Sequence, residues 1–147
     1  MSIRETIITT LETTVGTIKT VKTVKRTIQG HEMLSEFAET QFPVVAIVGR
    51  LPQPIPHRSG RTKADNDMFI STLTIDFYCY VLENKDEDTA ISELAEALWI
   101  KLYSDPTVGD NCLQMDLSFD GNVERWSPFV AFRLICNVKY VHDIGGI

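Results

Sequence analysis

With three cysteines and three histidines in 147 residues, the chain has little from which to build a metal centre or a redox pair. Cys79, Cys112 and Cys136 are widely spaced and odd in number, with no Cys-x-x-Cys and no Cys/His pairing. Reduced, half-buried thiols inside strands are therefore expected. His31, His57 and His142 fall in loops and near a terminus, where solvated imidazoles are expected. Long apolar runs are also missing: none approaches the ~20 residues that a membrane-spanning helix needs. The stretch Met1-Ser-Ile-Arg-Glu5 has no apolar core, so no signal peptide is expected. Gly49 and Gly60 stand too far apart, with prolines between them, to cradle phosphate. There is no Gly-x-Ser-x-Gly and no His-Glu-x-x-His. Asp86 and Asp88 look like the start of a helix, and Asp116 and Asp120 lack a histidine or third acid to complete a metal site. The chain is thus expected to have no catalytic residues, no cofactor and no metal, unless a site forms between subunits.

What is present is material for a core. Hydrophobic residues make up 44% of the chain, and its length suits one domain, residues 1–147. The organising stretch is Asp67–Tyr103. Odd positions Phe69, Ser71, Leu73, Ile75, Phe77, Cys79 and Val81 form a nearly continuous apolar strand face, since successive side chains alternate in direction. Even positions Met68, Ile70, Thr72, Thr74, Asp76, Tyr78 and Tyr80 mix apolar, hydroxyl and aromatic groups, as in a half-covered face or a subunit contact. After Glu83–Glu87 the period changes. Ala90, Ile91, Leu94, Ala95, Leu98 and Leu102 form one helical stripe, with Asp88 as its expected N-cap. Packing this helix on the strand hides both apolar surfaces.

An N-terminal helix is expected over 2–14, where Ile3, Ile7, Ile8 and Leu11 share a stripe and Ser2-x-x-Glu5 has the form of a capping box. The lysine-rich repeat of Thr17–Ile28 predicts a strand, guarded by lysines as an edge or facing a partner subunit. Met33, Leu34 and Phe37 suggest a turn or two of helix, and Val44–Val48 a buried strand. Leu113, Met115, Leu117 and Phe119 predict one one-sided strand. Val130, Phe132, Leu134, Cys136, Val138 and Tyr140 predict another. Trp126 lies in their connection, as core lid or partner contact, and residues 142–147 form a frayed tail. Strands following turns rather than helices give an α+β fold, with a mixed, mainly antiparallel sheet against the two helices.

Two segments point to interactions. Residues at about 50–66 contain Pro52, Pro54 and Pro56 with Arg50, Arg58, Arg61 and Lys63. The prolines and Gly60 argue against regular structure, and such a length suggests an extended basic arm that grips a neighbour. Residues 83–124 carry eleven carboxylates against Lys85 and Lys101, within a net charge of −6. Such a segment repels phosphate, and reads as a solvated acidic face or the wall of a passage for nucleic acid.

The succession of N-terminal helix, Val21-Lys-Thr-Val-Lys-Arg26, Phe42-Pro-Val-Val-Ala-Ile47, basic arm, long strand, helix, Leu102-Tyr-Ser-Asp-Pro-Thr-Val-Gly109 and two closing strands ending in Val138-Lys-Tyr140 resembles the tail terminator (tail completion) proteins of tailed bacteriophages. That resemblance covers nearly the whole chain. It implies a structural virion protein: a hexameric ring that caps the tail tube, ends its polymerisation and joins the tail to the head. Partners would be copies of itself, the tail tube protein and a neck or head-completion protein. Genomic DNA would pass through the channel without sequence-specific binding, and no membrane is involved. Assembly would occur in the host cytoplasm, with the protein finally at the tail–neck junction of the virion. The interface would include Arg50, Pro52, Pro54, Pro56, Arg58, Arg61, Lys63 and Trp126. The polar connection Gln29–Gln41 departs from the pattern. Two other classes remain: another head–tail connector of the same fold, or a cytosolic α+β domain binding a small molecule.

Overall fold

The computed structural model describes residues 2–26, 34, 36–56 and 68–143. Its axis is a pair of long strands, β4 (Phe69–Leu82) and β7 (Phe129–His142), joined antiparallel along all fourteen residues of each. The remaining strands are β1 (Thr23–Lys25), β2 (Val44–Gly49), β3 (Gln53–Pro56), β5 (Gln114–Phe119) and β6 (Glu124–Trp126). The sheet runs β1-β2-β4-β7-β5, with β3 beside β4 and β6 beside β7. Only β1 and β2 pair in parallel, so the fold is α+β with a mixed, mostly antiparallel sheet.

Both helices lie on one face. Helix α1 (Ile3–Gly16) starts where Ser2 Oγ accepts a hydrogen bond from the Glu5 N–H at 3.1 Å. The Glu5 carboxylate does not reach back to close the box but accepts two hydrogen bonds from Arg26, at 2.9 and 3.1 Å. Ile7, Ile8, Leu11 and Val15 are buried. Helix α2 (Glu87–Tyr103) buries Leu94, Leu98 and Leu102, each worth ~1.5–3 kcal/mol of burial. The expected stripe is therefore the stripe observed. These side chains meet Leu73, Ile75, Phe77, Cys79 and Val81 of β4, and Val130 to Tyr140 at alternate positions of β7.

Strands β2 and β3 are one strand interrupted by a bulge. Gly49 faces Ile75 and Gln53 faces Thr72, leaving three residues opposite two. The two carbonyls turned outward there are not orphaned: Arg4 donates to Gly49 O at 2.9 Å and Arg50 O at 3.0 Å. The loop after α2 is wound left-handed, with φ of 49° at Val108 and 64° at Gly109 and Asp110. Asp105 Oδ2 holds it by accepting from the Gly109 N–H at 2.8 Å. Val108, a β-branched residue that seldom adopts such a φ, is held there because its side chain is in the core.

Several expectations change. Of the strand predicted over 17–28, the described part, 17–26, forms only Thr23–Lys25, and residues 27–28 lie outside the described residues; Ile18 and Val21 instead plug the end of the core. Prolines 54 and 56 do not prevent regular structure, because Gln53–Pro56 pairs with β4. The α2 N-cap is Asp86 rather than Asp88, and its side chain makes no capping bond. Cys112 precedes β5 rather than lying in it, and all three cysteines are buried rather than half-buried. Leu113 and Phe119 are exposed, so the one-sided pattern of β5 holds only for Met115 and Leu117. His142 belongs to β7 and is buried, not part of a frayed tail. The helix suggested near Met33–Phe37 falls partly outside the described residues; Glu39–Gln41 forms a 3-10 turn.

Candidate self-association surface

Among the described residues, the face of the sheet turned away from α1 and α2 is closed at one end only. There Leu34 and Phe42 pack over Val44, Ala46, Tyr80, Phe129 and Ala131, and the Phe42 ring stacks on Phe129 at 5.3 Å. Beyond this cap the register lays out cross-strand rows. Ile55, Ile70 and Val141 make one apolar row. Gln53, Thr72, Lys139 and Gln114 make the next, and Thr74 Oγ1 donates to Asn137 Oδ1 at 2.7 Å in a third. No helix of the described residues covers these rows. Ile55 and Leu113, both 65% exposed, flank a shallow groove of about 260 Å³ floored by Ile70 and Thr72.

The residues singled out from the sequence do not form one site. Arg50 lies at the bulge and forks onto Asp76, with Nε–Oδ2 at 3.1 Å and Nη2–Oδ1 at 3.4 Å. Asp76 is only 3% exposed, so this fork is what makes its burial on a sheet face tolerable. Pro52 is buried, while Pro54 and Pro56 are exposed along β3. Arg58, Arg61 and Lys63 lie outside the described residues. Trp126 is in a strand rather than a connecting loop, on the opposite side of the sheet from β3.

Two of the sheet's edge strands, β3 and β5, are blunted against further strand pairing. Pro54 and Pro56 have no N–H, so the hydrogen-bonded pairs of β3 must be Gln53–Thr72 and Ile55–Ile70. The prolines' nitrogens then point outward, and this edge offers no donors there. On β5, the outward Leu117 N–H is already taken by Tyr103 Oη of α2 at 3.0 Å. Trp99 stacks on Phe119 at 5.5 Å and covers the end of the same strand.

At the capped end, a cavity of about 330 Å³ opens between Tyr78, Tyr80 and Arg133 on the sheet and Asp120, Glu124 and Trp126 beside it. Arg133 Nη2 donates to Asp120 Oδ2 at 2.7 Å. A hydrogen bond with Tyr78, aided by Asp120, holds the guanidinium firmly protonated against its partial burial. Burial pushes the Tyr80 hydroxyl up to about 12, with the Tyr78, Cys79 and Glu124 side chains adding to it. Sequence reasoning missed this group, because Asp120, Arg133 and the tyrosines converge only through the sheet register.

One pair has the look of chemistry. Ser71 Oγ lies 2.6 Å from His142 Nε2, and His142 Nδ1 lies 2.6 Å from the Asp143 carbonyl. A carbonyl only accepts, so Nδ1 carries a hydrogen; with a neutral ring, Nε2 would then accept from the serine hydroxyl. Yet Ser71 has no exposed surface and His142 is 4% exposed, so no substrate can approach Oγ. The pair therefore reads as a satisfied polar bridge in the core, with the imidazole stacked on Phe69 at 5.8 Å.

No protein-family model matches the chain, and no curated protein matches it.

Proposed function

We propose that this chain is a structural subunit that assembles with copies of itself into a closed ring capping a bacteriophage tail tube. The observation that carries the reading is the contrast between the two sheet faces. One is sealed by α1 and α2 over a continuous core, while most of the other bears apolar and polar rows without a cover among the described residues. Such a surface suits a partner better than it suits water. The blunted β3 and β5 edges favour contact through the open face and the basic arm over strand addition there. A contact between unlike surfaces closes into a ring when its rotation allows. The ring would end tube growth, join the tail to the neck and leave a channel for DNA, and the carboxylate-rich segment 83–124 would keep that channel non-adhesive. The buried state of Ser71 and His142 favours this scaffold role over catalysis.

Native mass spectrometry and electron microscopy of the purified protein, alone and with tail tubes, test the proposal. Rings that bind tube ends and stop their growth are expected. A protein that stays monomeric at every concentration and leaves tubes growing overturns it. Rings that bind a portal but ignore tubes would instead favour the connector reading.

A further inference from the structure

We propose that the outer strip of α2 formed by Glu96, Trp99, Ile100 and Tyr103, with Phe119 of β5, docks against the lysines Lys19 and Lys22 of a second copy. This inference rests on the ring reading and adds a lateral contact to it. Trp99 is 37% exposed, Ile100 61%, Tyr103 36% and Phe119 42%. They form one patch, because the Trp99 ring meets Tyr103 at 4.9 Å and Phe119 at 5.5 Å, and Ile100 stands one helical turn before Tyr103. Glu96, one turn before Trp99 and Ile100, is exposed and makes no ion pair among the described residues. The strip thus joins apolar surface to a free carboxylate, a combination that suits an ammonium group carried on its methylene stem.

The occupant follows from charge and position. Residues 17–26 carry Lys19, Lys22, Lys25 and Arg26 and no acid. Arg26 is paired with Glu5 and Glu12, whereas the three lysines are exposed and make no ion pair among the described residues. Lys25 Nζ already lies over the Phe37 ring at 5.9 Å, which leaves Lys19 and Lys22 to carry the contact. Both line a shallow hollow of about 330 Å³ with Pro43, Ala90, Leu94 and Glu93, and Glu93 pairs with neither. Apolar surface beside two ammonium groups fits Ile100 and Trp99 flanked by Glu96. One chain cannot make this contact with itself. The lysines lie at the β1 edge and Phe119 at the β5 edge, four inter-strand steps of ~4.8 Å away, or about 19 Å. Two lysine-bearing edges repel each other, so the contact joins unlike surfaces, as a head-to-tail ring requires. Tyr103 already occupies the outward Leu117 N–H, so the edges meet through side chains rather than by adding a strand.

The test uses the full chain. Glu96→Lys and Lys22→Glu should each weaken self-association about tenfold or more per contact, the scale of one lost interfacial charge pair. Glu96→Lys with Lys22→Glu in one chain should restore assembly, because every contact is then charge-swapped. Ile100→Glu should weaken assembly as well, and all these sites are exposed, so the melting curves should stay unchanged. As a direct readout, an Ile100→Cys copy mixed with a Lys22→Cys copy should form a mixed disulfide, the native thiols being buried. Rings that form unimpaired with Ile100→Glu and Glu96→Lys and give no mixed disulfide would overturn the inference while leaving the ring reading intact. A disulfide formed by Ile100→Cys copies alone, with none to Lys22→Cys, would show a two-fold contact and overturn it. A chain that never associates would overturn both readings. Normal rings that lose only tube binding would assign the strip to the tube protein and overturn the second-copy occupant.

Discussion

Substituting Gly49 by alanine tests how closely α1 rests on the sheet. A Cβ at this position would lie 2.4 Å from Ile8 Cδ1, 3.0 Å from Arg4 Nη2 and 3.5 Å from Ile8 Cγ1. Ile8 is 1% exposed, so its terminal methyl has no open volume to swing into. Two effects compete. Losing a glycine restricts the unfolded chain and favours folding by ~0.4–1 kcal/mol. Crowding a methyl into a packed site costs ~1–3 kcal/mol. The crowding wins, for a net loss of about 1–2 kcal/mol and a fall in Tm of roughly 2–6 °C. Ile8→Val removes the clashing methyl and alone costs ~0.5–1.5 kcal/mol. If crowding is the cause, Gly49→Ala with Ile8→Val costs less than the sum of the two, by about 1 kcal/mol. Urea unfolding followed by far-ultraviolet circular dichroism measures this. One fixed protein concentration is needed, because assembly would make apparent stability depend on it. Additivity to within ~0.5 kcal/mol would refute the close approach of α1 to Gly49.

Leu98→Ala should cost ~2–5 kcal/mol, since Leu98 is fully buried between α2 and the sheet; a loss under ~1 kcal/mol in the same denaturation would refute its core position. Burial pushes the Cys136 thiol up to about 12, and the Cys79 thiol is raised as well by the same cause. Neither should react with a disulfide reagent at pH 8 until urea unfolds the chain, and rapid native labelling of either would contradict their placement. Glu5 is held below its usual 4.5 by hydrogen bonding and charge from Arg26, and Glu87 likewise by Arg125. A depressed folded pKa gives stability that is complete above the unfolded value and lost as pH falls through the folded one. Stability should therefore drop between about pH 5 and pH 3, and Arg26→Gln should flatten part of that drop; an identical acid profile would count against the pairing. Pro54→Val with Pro56→Val returns two N–H donors to the β3 edge and should turn assembly towards open aggregates, read by light scattering; unchanged scattering would show that the edge is protected by other means.

The sequence disclosed most where a single period dominates. Alternation in 69–82 and 130–140 and the Leu94–Leu98–Leu102 stripe are local signals, and the core is built on them. Short strands escaped because their stability is not local. Gln53–Pro56 has two prolines in four residues and is held only by its long neighbour β4. Glu124–Trp126 is likewise three exposed residues that β7 holds in place. His142 read as solvated because its partner, Ser71, is 71 residues away and is brought near only by the β4–β7 register. The Asp76–Arg50 fork and the Asp120–Arg133 pair escaped for the same reason. Of the proposed interface, Arg50, Pro54 and Pro56 fall along one side of the sheet while Trp126 falls on the other. A list of suggestive residues thus became two separate surfaces.

That separation has a structural logic. A subunit that used one patch to meet its own copy would pair two-fold and stop at a dimer, because like surfaces satisfy one another. Here the open apolar row Ile55–Ile70–Val141 and the departure point of the basic arm share one end of β4. The acid- and aromatic-lined cavity lies towards the other end, over β4, β7 and β6. Prolines on β3 and Tyr103 over β5 suppress non-specific edge-to-edge pairing at those two edges. Long strands β4 and β7 hold the two surfaces at a fixed distance, because fourteen paired residues with a sealed helical face bend little. The rigidity of that pair, more than any single side chain, would set the angle between successive copies and hence whether a ring closes.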